Sequence, residues 1–315
     1  MSKRILFLYS LPKQKSQILR CETAFKAILR KFRQTGVFSY LQIDTSPTCR
    51  EKMVEILKKS IKISDAVIFY GDIQSANQDA LFVKEVFGEV TQEKFLAGRC
   101  ICSPLCDEIS SIKDDTISES TVYHLSQIKK AVLLAVSEAK KKKHNLTVCT
   151  QSESGASRLI FREFEYALGE ERHISASHID FDEMLLCSMG HYPFPDVILT
   201  TQAISRTVSL LLTSLQKMPT GYSCWHTESA KLYLREVFPF EQTSCAADAS
   251  LLLVFSAVLK NELFLESAGD WLKRSVSLAY EKCEQTHCAA FLDEVICEIN
   301  KPMRNRKEKH NESED

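Results

Sequence analysis

The stretch His178–Leu212 reads HIDFDEMLLCSMGHYPFPDVILTTQAISRTVSLLL. It runs from a segment bearing Asp180, Asp182 and Glu183, through a turn at Pro193 and Pro195, into the apolar run Asp196–Thr200. That run, DVILT, predicts a buried strand, and the apolar spacing of Ile204–Leu215 predicts a helix after it. The loop beyond the carboxyl end of a strand is where open α/β sheets hold their ligands. The Asp180 group itself has two readings. Three neighbouring carboxylates suit Mg²⁺ or Mn²⁺. Asp180 as N-cap, with Glu183 three residues on, equally approximates a capping box that satisfies free amides at a helix start.

Working outward, Lys3–Tyr9 (KRILFLY) is strand-like, and Gln14–Phe32 repeats apolar residues at helical spacing. Val37–Ile43 predicts a second strand, Arg50–Ile63 an amphipathic helix, and Ala66–Tyr70 (AVIFY) a short buried strand. Strand, helix, strand, helix, strand is the pattern of a parallel sheet covered by helices. Asp79–Glu93 reads as a helix, and Gly98–Ser120 as loop. Further helices are expected over Tyr123–Lys142, Ala156–Leu168, Ala247–Leu265, Ala268–Tyr280 and Ala289–Ile299, with a strand at Leu146–Cys149. Pro219–Trp225 reads as a turn entering a strand, and residues 301–315, without an apolar core, as a disordered polar tail.

Composition narrows the function classes. Forty basic residues against forty-one acidic give a net charge of −1, which argues against a general nucleic-acid binder. No apolar run reaches the roughly 18 residues of a membrane span, and Ile5–Tyr9 is too short for a signal peptide. Twelve cysteines without an export signal imply free thiols in a reducing compartment, with the cytoplasm as default and most thiols in the core.

Few chemistry-bearing motifs are written in the chain. It has neither G-x-G-x-x-G nor G-x-x-x-x-G-K-[ST], and only nine glycines from which to build a phosphate cradle. Ser152–Gly155 lacks the first glycine of a nucleophile elbow. Cys100, Cys102 and Cys106 could offer three thiolates to zinc or an iron–sulfur cluster, although no second Cys pair supplies a fourth ligand. Cys283, His287 and Cys288 cluster near a helix end, where solvated helix residues are the plainer reading.

Taken together, the order of elements resembles the isocitrate/isopropylmalate dehydrogenase family, the metal-dependent β-decarboxylating dehydrogenases. The resemblance is clearest over residues 122–212: a helix ending in AVSEAKKKKH, the strand NLTVCT, the helix ASRLIFREFEYAL, and His178–Ile179–Asp180 with Met184 in place of V-D-A-x-x-M. Asp196–Thr200 then stands in place of D-V-[IV]-[VL]-T. The resemblance implies an α/β, isopropylmalate dehydrogenase-like fold of two domains with helix-covered, mostly parallel sheets. It further implies Mg²⁺ or Mn²⁺ and NAD or NADP as cofactors, a 2-hydroxy acid substrate, and active sites shared across a dimer. The divisions expected are 1–98 with 222–300 as the first domain, and 99–221 as the second, carrying the dimer contact.

Residue by residue, most of the family's chemistry is missing. Asp180 matches an Asp that one subunit lends to its neighbour's cation. The family continues after the strand as [NEG]-[LIM]-[FY]-G-D-I-L-S-D, and here Arg206 and Leu210 occupy its two Asp positions. Arg206 could instead serve as a fixed positive group for an anionic ligand. The D-K-x-N segment with the catalytic Lys appears as Cys149–Thr150–Gln151–Ser152, and G-D-G-I-G-P-E as Ser10–Ser16. The adenosine-binding loop is shortened to Glu241–Asp248, the R-x-x-x-x-G-x-Y-x-G segment has no match, and Tyr123 is out of place for its Tyr. The middle of the chain is also short for the family's clasp region. The resulting expectation is a catalytically degenerate relative, acting as a binding or subunit-partner protein, homodimeric or paired with an active homologue. Two alternatives stay open: an active NAD(P)-dependent oxidoreductase with an altered site, and a thiol-based metal or redox protein.

Overall fold

Asp196–Thr200 contains the buried strand Val197–Leu199, which sits deep inside a ten-stranded sheet. The computed structural model describes residues 2–44, 46, 48–70, 86, 91–96, 99–113, 116–141, 145–151, 154–169, 173–190, 193–214, 221–227, 230–235, 244–286 and 290–302. In chain order the first elements are β1 (Lys3–Tyr9), α1 (Pro12–Lys31), β2 (Gly36–Gln42), α2 (Arg50–Lys62) and β3 (Ala66–Tyr70). Next come β4 (Thr91–Leu96), β5 (Arg99–Pro104), β6 (Asp107–Lys113), β7 (Thr116–Val122), α3 (Leu125–Lys141) and β8 (Asn145–Thr150). The central stretch continues with α4 (Gly155–Leu168), β9 (Ser175–Asp180), α5 (Phe181–Ser188), β10 (Val197–Leu199) and α6 (Gln202–Ser214). β11 (Gly221–His226), β12 (Lys231–Arg235), α7 (Ser244–Asn261), α8 (Glu266–Thr286) and α9 (Phe291–Asn300) close the described chain.

The strand order is β2-β1-β3-β12-β11-β4-β5-β10-β8-β9. Pairing is parallel at both ends of the sheet and antiparallel only around β11 and β4, from β12 to β5. This is a mixed α/β architecture with a mostly parallel sheet, as the alternation of strand and helix patterns implies. Parallel strands are covered on both faces, so they read as continuous apolar runs, and β1 and β3 are buried over ILFLY and AVIFY. Edge strands β2 and β9 expose much of their length.

The sheet's pleat separates two faces. On one, Phe7, Phe25 and Phe255 stack beneath α1 and α7, with Phe25 and Phe255 centroids 4.2 Å apart, and Cys100, Cys102 and Val148 lie beneath α3 and α4. On the other, Leu8 and Val67 pack against Leu57 of α2, and Ile101, Cys149 and Ile198 pack against α5 and α6. The α7 interior is buried all round, as expected of a helix that is apolar on every side. α1 begins at Pro12, with the Gln14 Oε1 accepting from the Ser10 and Leu11 amides at 2.9 Å each.

Three sequence expectations are corrected. Gly98–Ser120 is not a loop: it holds β5 and an antiparallel β6–β7 ladder. Its Cys, Ser and Thr are small or β-branched residues that suit strands while keeping the apolar contrast low. Thr91–Glu93, expected as a helix end, begins β4, while the rest of that helix expectation, Val86 excepted, lies outside the described residues. Cys283 is a core residue rather than a solvated one, 8 % exposed. The tail expectation falls mainly on residues 303–315, outside the described residues.

Candidate functional site

The carboxyl ends of β8, β9 and β10 meet the first turns of α5 and α6. Asp180 ends β9 and caps α5, its Oδ1 accepting from the Asp182 amide at 3.4 Å while Glu183 Oε2 accepts from the Asp180 amide at 3.3 Å. The carboxylate is thus engaged with the helix it starts. Beside it the Cys149 thiol is pushed up to about 12, by burial first and then by the charges of Asp180, Cys187 and Glu183. The Thr200 hydroxyl donates to the Cys149 carbonyl at 2.7 Å, and Thr150 Oγ1 lies 2.6 Å from His178 Nε2.

At the start of α6, Gln202 Oε1 accepts from the Cys106 amide at 2.7 Å and from its thiol at 2.9 Å. Tyr123 joins this group. Burial, followed by the nearby Cys106, raises its hydroxyl to about 12. The reading of sequence placed no role on Gln202, and the meeting of Tyr123, Cys106 and Gln202 crosses about a hundred residues, so no local spacing could reveal it. Arg206 and Leu210 lie one turn apart on the exposed face of α6, with Leu210 44 % exposed.

The adjoining strands extend the polar surface. Directly opposite residues of an antiparallel pair share a face, so Ser103, Gln92 and Trp225 form one row, and Ile101, Lys94 and Ser223 the next. Leu96, on the same side of β4, packs with Ile204 and Val208 of α6. Gln92 donates to Ser223 Oγ at 3.4 Å. Among the described residues, Ser103 Oγ, Ser205 Oγ and Trp225 Nε1 are buried without a hydrogen-bond partner. An orphaned buried polar group costs about 1–3 kcal/mol.

No family model matches the sequence, and neither does any curated protein compared with it. Solved structures do match. The isocitrate dehydrogenase from Methylococcus capsulatus superposes with a TM-score of 0.73 at 12% identity, covering 95% of this chain and all 100% of that one. The apo β-decarboxylating dehydrogenase from Thermococcus kodakarensis gives 0.70 at 15% identity, covering 94% and 96%. This is the β-decarboxylating dehydrogenase fold.

On that fold, the residues present do not fit a hard divalent cation at the expected place. Mg²⁺ and Mn²⁺ need several oxygen ligands. Here Asp180 is engaged in a cap, Arg206 brings a positive charge and Leu210 an alkyl chain. The nucleotide-loop match falls partly on described residues. Residues 241–243 lie outside the described residues, and Ser244–Asp248 are already the first turn of α7. Asp248 is buried and paired with Arg20 at 2.9 Å.

The three clustered thiols do not converge either. Cys100 and Cys102 alternate along β5 and so point to the α3 face, with sulfurs 3.7 Å apart. Cys106 turns to Gln202 instead. Burial and its hydrogen bond to Cys100 keep the Cys102 thiol protonated, the hydrogen bond having the larger effect. His287 and Cys288 lie outside the described residues.

Proposed function

We propose that this chain is a divergent member of the isocitrate/isopropylmalate dehydrogenase family that has kept the scaffold and lost the cation-dependent oxidation, and that it serves as a binding or subunit-partner protein. One observation carries the reading. The exposed face of α6 presents Arg206 and Leu210 where the resemblance requires two carboxylates, and Asp180, which in the resemblance serves the neighbouring subunit's cation, is hydrogen-bonded into the α5 cap. A divalent ion placed there would face a guanidinium with most of its oxygen ligands missing. The buried hydroxyls and Lys94 on the same side of the sheet support retained binding of a polar ligand.

In this reading, residues 1–98 and 222–300 form one domain, and 99–221 the other with the dimer contact. The protein works in the cytoplasm as a homodimer or beside an active homologue, with no nucleic-acid or membrane partner. Arg206 is the candidate contact for an anionic ligand or partner group. No helix among the described residues is long and apolar enough to cross a membrane.

The test is direct. Purified protein with Mn²⁺, NAD or NADP and a panel of 2-hydroxy acids is expected to form no reduced cofactor. Turnover that disappears in Asp180→Asn would overturn the proposal and favour an active oxidoreductase.

A further inference from the structure

The opposite face of the sheet carries a second grouping of chemistry. Between α3 and α7 lies a cavity of about 760 Å³, walled by Leu134 and Glu138 on one side and by Leu253 and Ala257 on the other. Its floor is formed by β4, β11 and β12, and Glu93, Cys224 and His226 line it. Glu93 and Cys224 are directly paired across the β4–β11 ladder, and His226 is the next residue on the same face of β11. The ligating atoms of the three side chains all lie within 4.8 Å of one another. Glu93 is 5 % exposed and Cys224 2 %.

We propose that Glu93, Cys224 and His226 form a zinc site whose fourth position opens into this cavity. A carboxylate, a thiolate and an imidazole are a ligand set for zinc rather than for Mg²⁺ or Ca²⁺, and three protein ligands with one open position is the arrangement of sites that bind exchangeable ligands. Donors about 2.0–2.1 Å from a tetrahedral ion are roughly 3.3 Å apart. His226 Nε2 and Glu93 Oε2, hydrogen-bonded at 2.6 Å without the ion, need to part by less than an ångström, which a carboxylate rotation supplies.

An alternative set shares Glu93. Cys100 and Cys102 also approach it within 4.8 Å, and their 3.7 Å separation suits two thiolates on one ion. Charge and access decide between them. Zn²⁺ with Glu93, the Cys224 thiolate and neutral His226 sums to zero. With Glu93 and two thiolates it leaves a net negative charge among residues that are 0 % exposed at both cysteines, neither of which lines the cavity. A simple buried ion pair between Glu93 and His226 is the plainer alternative. It leaves two features without a purpose. Cys224 stands in register beside the carboxylate, and the Thr91 hydroxyl, directly opposite His226, is fully buried without a hydrogen-bond partner among the described residues. The site lies on the other side of the sheet from α5 and α6, so it stands independently of any chemistry retained there.

The experiment uses full-length protein stripped with a chelator, then titrated with Zn²⁺ against a chromophoric competitor and, separately, with Co²⁺. One Zn²⁺ per chain is expected, together with a thiolate-to-cobalt charge-transfer band. Both should be retained in Cys297→Ser, an exposed control. Cys224→Ala and His226→Ala should each weaken binding by at least about 100-fold, more than the loss of a residue that merely supports a ligand. Binding lost in Cys100→Ala or Cys102→Ala but kept in Cys224→Ala would overturn the assignment. So would wild-type protein that gives no cobalt–thiolate band, a result that does not depend on any variant folding.

Discussion

Gly221→Ala tests how rigidly β4 and β11 are held together, and with them the zinc ligands. A Cβ at Gly221 would sit 2.2 Å from Leu96 Cδ2, 3.2 Å from Leu96 Cγ and 2.9 Å from the Phe95 carbonyl oxygen. Carbon contacts relax only at about 3.5–4.0 Å, so the Leu96 methyl would have to move by more than an ångström. Leu96 is 1 % exposed and packed against α6, and the Phe95 oxygen belongs to the sheet, so neither yields readily. Overpacking of this kind costs about 1–3 kcal/mol. Replacing glycine restricts the unfolded chain and returns about 0.4–1 kcal/mol, which leaves a net loss. Each kcal/mol lowers the melting temperature by about 2–4 °C in domains of comparable size. Gly155→Ala is the matched control, because a Cβ there meets nothing within 4 Å and should be neutral or stabilising. Differential scanning calorimetry of both variants decides the matter. If Gly221→Ala melts as high as Gly155→Ala, the close β4–β11 approach is not the constraint argued here. Zinc affinity should fall in the Gly221 variant alone, since Glu93 and the other two ligands sit on the two strands being pushed apart.

Other outcomes follow from single interactions. Asp180→Ala should destabilise by about 0.5–2 kcal/mol through loss of the α5 cap, read as a shift in the urea midpoint without a change of slope. The Glu298 carboxyl is pushed up by burial, but hydrogen bonds from Lys282 and Lys301 at 2.5 and 2.6 Å outweigh this and hold it below its ordinary value. A depressed folded pKa contributes stability above the unfolded value of about 4.3 that is lost as pH falls through the folded one, so Glu298→Gln should flatten the acid limb of a stability–pH curve. Brief alkylation of native protein should label Cys49 and Cys297 and spare Cys149, whose buried thiol is held protonated; labelling of Cys149 at the rate of Cys297 would contradict its burial.

The sequence reading reached β1, β2, β3, β8, β10 and the long helices because their signals are local, and missed the polar edge strand β9. β1 and β3 are unbroken apolar runs, and α1 and α3 repeat apolar residues at the helical period. It failed at the middle of the sheet, where β4 reads TQEKFL yet buries all but one of its six residues. Charged and amide side chains look solvated in a one-dimensional pattern. They are buried here because β4 has neighbours on both edges and helices over both faces. The expectation at Arg206 and Leu210 rests on matching a motif along the chain. The grouping of Glu93 with Cys224 and His226 could not be seen that way, because it depends on a register between strands separated by about 130 residues.

That register also gives zinc binding a pH dependence that an ion pair alone would lack. Burial chiefly, and then the Glu93 charge, keeps the Cys224 thiol protonated in the metal-free protein. Lys231 opposes this, while Glu262 adds to it; Tyr233 faces the thiol from β12, and His226 flanks it on β11. Only a thiolate can bind the ion, so each zinc bound expels the thiol proton to solvent. Affinity should therefore rise about tenfold per pH unit, for as long as the pH stays below the thiol's raised pKa. Cys224→Ala should lose that slope along with most of the affinity. A wild-type affinity that is flat between pH 7 and 9, on the alkaline side of ordinary imidazole titration at about 6.5, would mean that no buried thiol proton is displaced. In that case Cys224 is packing, and Glu93 with His226 is a hydrogen-bonded pair and nothing more.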